Sequence, residues 1–116
     1  MAEPVYKICS RVALEEARRG GRFDGSADDH RDGFIHLSAG SQVAGTLAQY
    51  FAGQRELVLL TVEPERLGER LRWEQSRGGE LFPHLYGPLD LAHVISVEAL
   101  ELQEDGSHRL PKGIAS

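Results

Sequence analysis

The segment with the densest chemistry in the sequence is WEQSRGGELFPHLYGPL, from Trp73 to Leu89. Within it, Arg77 precedes the pair Gly78-Gly79. A guanidinium can bind an anion through two parallel hydrogen bonds, and glycines let backbone N–H groups approach the same anion closely. The tetrapeptide that ends at Glu80 therefore predicts a loop that holds a phosphate or carboxylate. The alternative, favoured by spacing alone, is a flexible hairpin turn whose charges are solvated.

The same segment supplies side chains that could move a proton or stabilise charge. Glu80 could stabilise positive charge developing on a sugar-like carbon, or it could form a surface salt bridge with Arg77. His84 and Tyr86 share one face if PHLYG is extended, and imidazole is the usual proton carrier near neutral pH. A structural histidine is the alternative for His84. Trp73 is either a core anchor or a stacking platform for a ligand ring.

A second group of candidate residues precedes this segment. GFIHLS has the period of two of a β-strand, which puts His36 and Ser38 on one face and Ile35 and Leu37 on the other. His36 and Ser38 are suited to hydrogen-bond a ribose or a base edge, although a buried histidine that donates to a backbone carbonyl is equally consistent with the pattern. Lys7, between apolar neighbours in VYKICS, must face a cleft or water, and it could pair with a ligand phosphate.

The elements that must position these residues follow from the hydrophobic pattern and the capping residues. The first part of the sequence predicts a strand at Val5–Ser10, a helix from the N-cap Ser10 to Gly20, a loop from Arg22 to Asp32 and the strand GFIHLS. A helix from Ser41 to Gly53 follows, with an apolar stripe of Val43, Leu47, Tyr50 and Phe51. The remaining elements are a buried strand at Leu57–Val62, a helical turn at Pro64, a half-exposed strand around Leu71 to Glu74, and a last strand in AHVISVEALEL with a bulge near Ala99-Leu100.

This order of elements predicts the fold class. It is typical of a single compact α+β domain, with two helices on a curved or split, mostly antiparallel β-sheet. The 116 residues are enough for one domain and too few for two. We expect the core to cover about residues 5–102 and residues 103–116 to form a polar tail that is frayed from Glu104 onward.

Composition limits the classes of function. The formal net charge of -5 argues against a nonspecific binder of nucleic acid or of anionic membranes. No apolar run reaches the roughly 18 residues that a membrane helix needs. Cys9 is the single cysteine, and the start of the sequence lacks the pattern of a signal peptide, so we expect a reducing, cytoplasmic location. The common metal-binding motifs do not occur, and no metal is predicted.

Several motifs carry a resemblance to a known family. VYKICS, GSADDHRDGFIHLS, TLAQYFAG and above all LRWEQSRGGELFPHLYGPL resemble the hallmarks of the domain-of-unknown-function 952 family of small bacterial proteins. The match extends from about Val5 to about Leu102. The family has no established activity, so this resemblance predicts a class of protein and not a reaction.

A more distant resemblance suggests a ligand. The order of the elements is similar to the catalytic half of RNA 2′-phosphotransferases, members of the ADP-ribosyltransferase superfamily, which bind NAD in a cleft between two small sheets. That similarity implies an ADP-ribosyltransferase-like fold and places His36 and Ser38 on the strand that contacts the nucleotide ribose. Lys7 stands where those enzymes carry a histidine expected to contact the NAD-derived moiety. The RNA-binding domain of those enzymes has no counterpart here.

Together these observations predict that Trp73–Leu89 forms one wall of a cleft opposite His36. Arg77 and the amides of Gly78 and Gly79 would meet a phosphate, and Glu80, His84 or both would act near the ribose. The leading hypothesis is an enzyme of ADP-ribosyltransferase-like type that handles NAD or ADP-ribose. The alternatives are a non-catalytic module that binds a nucleotide or small metabolite, a small acid/base hydrolase or lyase that does not use NAD, and a protein-interaction role. Whether the protein is an enzyme stays open at this point.

Overall fold

The structure, a computed structural model, describes residues 3–114. The strands are β1 (Val5–Ser10), β2 (Arg22–Phe23), β3 (Ile35–His36), β4 (Ser38–Ala39), β5 (Leu57–Val62), β6 (Leu71–Gln75), β7 (Leu81–Leu85), β8 (Leu89–Asp90) and β9 (Val94–Leu100). The α-helices are α1 (Arg11–Gly20), α2 (Ala27–Asp32) and α3 (Val43–Tyr50). Single 3-10 turns lie at Gly40–Gln42, Pro64–Arg66, Gly68–Arg70, Arg77–Gly79 and Leu91–His93.

The strands form three sheets in which the neighbouring strands are antiparallel. The largest has the order β4-β1-β5-β9, a second has the order β3-β7-β6, and β2 pairs with β8. The predicted single α+β domain with split antiparallel sheets is confirmed. Residues 3–114 contain three α-helices, where two were predicted.

The central strand β5 divides the core into two apolar clusters. Val58 and Leu60 point to one side of the large sheet, where they pack with Leu85 and Leu89 from the smaller sheets. Leu59 points to the other side and packs against α3. Because both faces of β5 are covered, its sequence LVLLTV is almost continuously apolar. The predicted bounds of this buried strand, Leu57–Val62, are confirmed.

The predicted first helix is confirmed together with its cap. The Ser10 side chain accepts a hydrogen bond from the Ala13 N–H at 3.0 Å, which satisfies one of the free amides at the helix start. The helix ends at Gly20, and Gly21 follows in the left-handed region with φ 77°. The helical turn at Pro64 and the half-exposed strand from Leu71 are confirmed as well.

The segment from Arg22 to Asp32 was predicted to be a loop, and this prediction is wrong. It forms the short strand β2 and the helix α2. The Asp29 carboxylate accepts a hydrogen bond from the Ser26 N–H at 2.8 Å, which stabilises the start of the helix, and Gly33 ends it with φ 85°. The helix is only six residues long and has no apolar stripe, so hydrophobic periodicity could not indicate it.

The prediction that GFIHLS forms a single strand is also wrong. The segment contains two short strands that belong to different sheets. β3 pairs with β7, whereas β4 pairs with β1. Leu37 stands between them, and its N–H donates to the Pro83 carbonyl at 3.0 Å. His36 and Ser38 therefore belong to different sheets.

The next helix is shorter than predicted. A 3-10 turn occupies Gly40–Gln42, so that α3 starts at Val43 and not at Ser41, and it ends at Tyr50 before Gly53. The Ala39 N–H donates to the Gln42 side chain at 2.9 Å, which closes this turn. Val43 and Leu47 are buried as the apolar stripe predicts, whereas Tyr50 is exposed.

Two expectations for the end of the chain are also corrected. The register shift in β9 lies near its start, because Val62 pairs with Val94 while Thr61 pairs with Ser96; the predicted bulge near Ala99-Leu100 is wrong. Residues 103–114 pack against the domain and are not frayed. Leu102 bridges to His108, whose Nε2 donates to the Gln54 carbonyl at 2.7 Å, and Leu110 and Ile114 contact the cluster around α3. The last two residues lie outside the described part of the chain.

Within residues 3–114, no helix combines the length and apolar character needed to cross a bilayer.

Candidate functional site

A cavity of about 220 Å³ lies between two walls made by the smaller elements. The first wall is α2 with β3, the second is the β6–β7 hairpin, and α3 and β1 contribute residues between them. The lining residues are Lys7, Ile8, Ser26, Asp28, Asp29, Arg31, Asp32, His36, Leu37, Thr46, Tyr50, Phe51, Ser76, Arg77, Phe82 and His84. We call the two sides the α2–β3 wall and the β6–β7 wall.

Asp29 is the centre of the α2–β3 wall. Its carboxylate is buried and forms an ion pair with the buried Lys7 at 3.0 Å. It also accepts hydrogen bonds from the backbone N–H groups of Ser26 and His36 and from the His36 ring. Burial alone would raise the pKa of Asp29, but the His36 hydrogen bond, the Lys7 charge and the two backbone donors outweigh it and hold the pKa well below the ordinary value.

His36 is held between two carboxylates. Its Nδ1 lies 2.6 Å from Asp29 Oδ1, and its Nε2 lies 2.9 Å from Asp32 Oδ2. Carboxylates only accept hydrogen bonds, so the imidazolium form with two N–H donors satisfies both contacts. The hydrogen bond from Arg31 and the adjacent charges of Arg31 and His36 lower the pKa of Asp32, which keeps it ionised near neutral pH. Both ring nitrogens of His36 are thus already occupied.

His84 lies directly opposite His36 in the β3–β7 pairing. Its ring is buried and its Nδ1 lies 2.9 Å from Glu74 Oε1. The Tyr86 hydroxyl donates to the same oxygen at 2.7 Å. The pKa of Glu74 is lowered mainly by the hydrogen bond from Tyr86 and next by the one from His84. The same bond to Glu74 raises the pKa of Tyr86. Phe34 stacks on the His84 ring with centroids 3.9 Å apart.

Arg77 supplies positive charge on the β6–β7 wall. It begins the turn between β6 and β7, and its Nη1 donates to the Thr46 hydroxyl at 3.2 Å. The guanidinium lies over the Phe82 ring, 4.9 Å from its centroid. Among residues 3–114, no carboxylate forms an ion pair with Arg77. The same is true of Arg19, Arg55, Arg70, Arg72 and Arg109, but none of those five lines the cavity.

Four of the predicted site residues meet at this cavity: Lys7, His36, Arg77 and His84. Lys7 differs from its predicted role, because Asp29 already neutralises its charge and the His36 carbonyl accepts a further hydrogen bond from it at 3.1 Å. A ligand phosphate would have to displace that ion pair. Arg77 retains donors that no carboxylate occupies.

The structure does not bring the other six predicted residues into the cavity lining: Ser38, Trp73, Gly78, Gly79, Glu80 and Tyr86. Ser38 is buried and its hydroxyl lies 3.2 Å from that of Thr46. Trp73 is 47% exposed, so it is not a core anchor. Gly78 and Gly79 adopt φ of 66° and 79° in the turn between β6 and β7. Glu80 is exposed at the end of the same turn.

The sequence reasoning missed the carboxylates that hold the two histidines. Asp29 and Asp32 lie in the segment predicted as a loop, and Glu74 was treated only as a polar strand residue. A usable signal existed for Asp29, because Ser26 three residues before an acidic residue is a typical helix start. Glu74 gives no such signal, since its contact with His84 depends on the pairing of two strands. In the described residues, no group of three or more His, Cys, Asp or Glu is arranged to hold a metal ion.

The fold and the cavity define a small α+β protein with a cleft, lined in part by charged side chains, between the α2–β3 wall and the β6–β7 wall. Residues 8–97 match the family described as "Protein of unknown function (DUF952)", so the chain belongs to the DUF952 family. The resemblance found in the sequence motifs is confirmed at this level. A comparison with curated proteins found no match.

Solved structures of one protein are similar over nearly the whole chain. An X-ray structure of protein CC0527 from Caulobacter crescentus is 54% identical, with 91% of this chain and 93% of that chain covered and a TM-score of 0.89. A solution NMR structure of CC0527 is 55% identical, with 90% of each chain covered and a TM-score of 0.81. The similarity to ADP-ribosyltransferases stays a prediction.

Proposed function

We propose that the protein binds the ribose phosphate part of a nucleotide, of the NAD or ADP-ribose class, in the cavity between the α2–β3 wall and the β6–β7 wall. The observation that carries this proposal is Arg77, a guanidinium that lines the cavity and has no carboxylate partner among residues 3–114. An arginine with free donors in a partly enclosed cleft is a favourable site for a phosphate, because its planar fork matches two phosphate oxygens.

The opposite end of the cavity is suited to hydroxyl groups. Asp28, Asp29 and Asp32 line it beside their partners Lys7, Arg31 and His36. Because an ionised carboxylate has about four lone-pair sites, these groups can accept a further hydrogen bond from a sugar hydroxyl. An arginine without a carboxylate partner on one wall and carboxylate oxygens on the other therefore support a ligand that carries a phosphate group next to a polyol, which is the chemistry of ribose phosphate.

The size of the cavity limits how much of a nucleotide it can enclose. Its volume of about 220 Å³ is below the roughly 300 Å³ at which pockets for whole drug-sized ligands begin. We therefore propose that the ribose phosphate enters and that the rest of the nucleotide stays outside. The similarity in the order of elements to ADP-ribosyltransferases, predicted from the sequence, suggests the same class of ligand.

The proposal is one of binding. The carboxylate that the sequence suggested for catalysis, Glu80, lies outside the cavity lining and contacts Gln42 at 3.5 Å. Lys7, which stands where the resembling enzymes have a histidine, is neutralised by Asp29. Catalysis would thus require groups other than these two.

Calorimetric titration with AMP, ADP-ribose, NAD and nicotinamide tests the proposal. We expect the three phosphate-bearing compounds to bind and nicotinamide not to bind. Arg77→Gln should lower the affinity for AMP about tenfold or more, because a charge-assisted hydrogen bond contributes about 1.5–3 kcal/mol. Arg66→Gln, which removes the same charge outside the cavity, is the matched control. Absence of AMP binding, or equal affinity in Arg77→Gln and wild type, would contradict the proposal.

A further inference from the structure

The β6–β7 wall contains one buried nitrogen that the fold leaves open. His84 Nδ1 is engaged by Glu74, but His84 Nε2 has no hydrogen-bond partner among residues 3–114. It is not one of the buried polar atoms that are sealed from solvent. Since the side chain is only 5% exposed and the ring lines the cavity, the cavity is the place from which this nitrogen can be reached.

Glu74 determines which ring nitrogen of His84 carries the proton. A carboxylate can only accept, so the contact at 2.9 Å requires the hydrogen on Nδ1. The lowered pKa of Glu74, due to the hydrogen bonds from Tyr86 and then His84, keeps this group ionised at neutral pH. Neutral His84 then presents the lone pair of Nε2 as a hydrogen-bond acceptor.

Packing holds the ring in this orientation. Phe34 lies almost parallel to it, with an interplanar angle of 21° and centroids 3.9 Å apart. The Tyr86 hydroxyl donates to the same Glu74 oxygen at 2.7 Å and helps to fix the carboxylate. An acceptor that is fixed before the ligand arrives loses little conformational entropy on binding, and it is costly to leave without a donor once water is displaced.

We infer that His84 Nε2 accepts a hydrogen bond from a ribose hydroxyl of the ligand and makes the site selective for ribose over deoxyribose. Glu74 and Tyr86 act as positioning residues that hold the required tautomer. This inference rests on the proposed function, because it specifies which part of the ribose phosphate contacts the β6–β7 wall. A site with a buried acceptor discriminates strongly against an analogue that lacks the matching hydroxyl.

The first test is independent of any ligand. Long-range proton–nitrogen NMR spectra of the five histidines, recorded at alkaline pH, report which nitrogen of each neutral ring is protonated. The His84 signals are assigned by their absence in His84→Phe, which keeps a ring for Phe34 to stack on. We expect the Nδ1–H tautomer in wild type and a changed tautomer ratio in Glu74→Ala. The Nε2–H tautomer in wild type would overturn the inference.

The second test compares AMP with its 2′-deoxy and 3′-deoxy analogues by calorimetry. In wild type, we expect at least one analogue to bind about tenfold or more weakly than AMP, as for the loss of a hydrogen bond to a buried group. In His84→Phe and Glu74→Ala, the affinities should become nearly equal. Gln75→Ala is the matched control, because residue 75 lies on the same strand with its side chain on the opposite face from Glu74.

The outcomes separate the inference from the proposed function. Equal affinity of wild type for AMP and both analogues, with binding still lost in Arg77→Gln, overturns the inference and leaves the proposed function standing. Discrimination that persists in His84→Phe also overturns it. Absence of AMP binding overturns both.

Discussion

The two walls of the cavity use the same residue types in different ways. On the α2–β3 wall, His36 has a carboxylate at each ring nitrogen, and Lys7 is paired with Asp29. On the β6–β7 wall, His84 has a carboxylate at one nitrogen only, and Arg77 has no carboxylate partner in residues 3–114. On the first wall, His36 and Lys7 are paired with carboxylates within the fold. On the second wall, His84 Nε2 and the Arg77 guanidinium have no carboxylate partner in residues 3–114.

The difference indicates which polar groups stabilise the fold and which are available to bind a ligand. A buried polar group is expensive unless it is satisfied, so a satisfied network is expected where the chain must be fixed. Open donors and acceptors in a cleft are tolerated when water or a ligand satisfies them. Changes to the α2–β3 wall should therefore alter stability most, and changes to the β6–β7 wall should alter binding.

The largest effect is expected from Asp29→Ala. Removing this carboxylate leaves the buried Lys7 charge without its partner and also removes the acceptor for His36 and the Ser26 amide. Breaking a buried ion pair from one side costs about 3–5 kcal/mol in the free energy of unfolding. Urea denaturation measures this, with the exposed neighbour Asp28→Ala as the control, expected to change the free energy by about 0.5 kcal/mol or less. Equal losses for the two variants would show that the Asp29 network is not structural.

A smaller effect is expected from acid. Because the pKa of Asp29 is lowered on folding, its contribution to stability is complete above the unfolded value of about 3.9 and is lost as the pH falls toward the folded value. The wild type should therefore lose about 1–2 kcal/mol through this group between pH ~4 and ~2. In Asp29→Asn the slope should be shallower, but Asp32 and Glu74, whose pKa values are also lowered, keep some acid dependence. Urea midpoints across this pH range measure the slope, and parallel curves would contradict the assignment.

The smallest effect on stability is expected from Gly45→Ala, which should weaken binding without lowering stability. Alanine in a helix is more favourable than glycine by about 0.5–1 kcal/mol. The added methyl group would lie 2.9 Å from Arg77 Nη2, so the flexible guanidinium must move. We expect unchanged or slightly higher stability and several-fold weaker AMP binding, measured by denaturation and calorimetry. Gln49→Ala, at an exposed position on the same helix, should leave AMP binding unchanged. Weaker AMP binding in both variants would show that displacement of Arg77 is not the cause.

The sequence was most informative where one local pattern determined the element. The apolar run of β5 and the Ser10 cap with the terminal Gly20 of α1 predicted these elements at the observed bounds. Periodicity could not predict that GFIHLS divides between two sheets, because a period of two shows the face of a side chain and not the partner of the strand. Periodicity also gave no sign of the short, polar α2, which has no apolar stripe; the spacing of Ser26 and Asp29 at its start was the local signal.

The site was predictable to the same degree. Residue chemistry alone indicated Lys7, His36, Arg77 and His84, which the fold brings to one cavity. It could not indicate that Asp29 neutralises Lys7 or that Glu74 orients His84, because those contacts join elements that are distant in sequence or depend on strand register. Residue chemistry also indicated Glu80, which follows Arg77 closely in sequence but does not line the same cavity.

The most direct measurement is an NMR titration of the nitrogen-15-labelled protein with AMP, read as backbone and side-chain shift changes. We expect the changes to concentrate on Thr46, Arg77 and His84, which line the cavity between the two walls. Changes confined to the larger cavity of about 550 Å³ between α3 and the C-terminal segment, read at Ser107 and Gly113, would contradict this expectation. The absence of any change would contradict it equally.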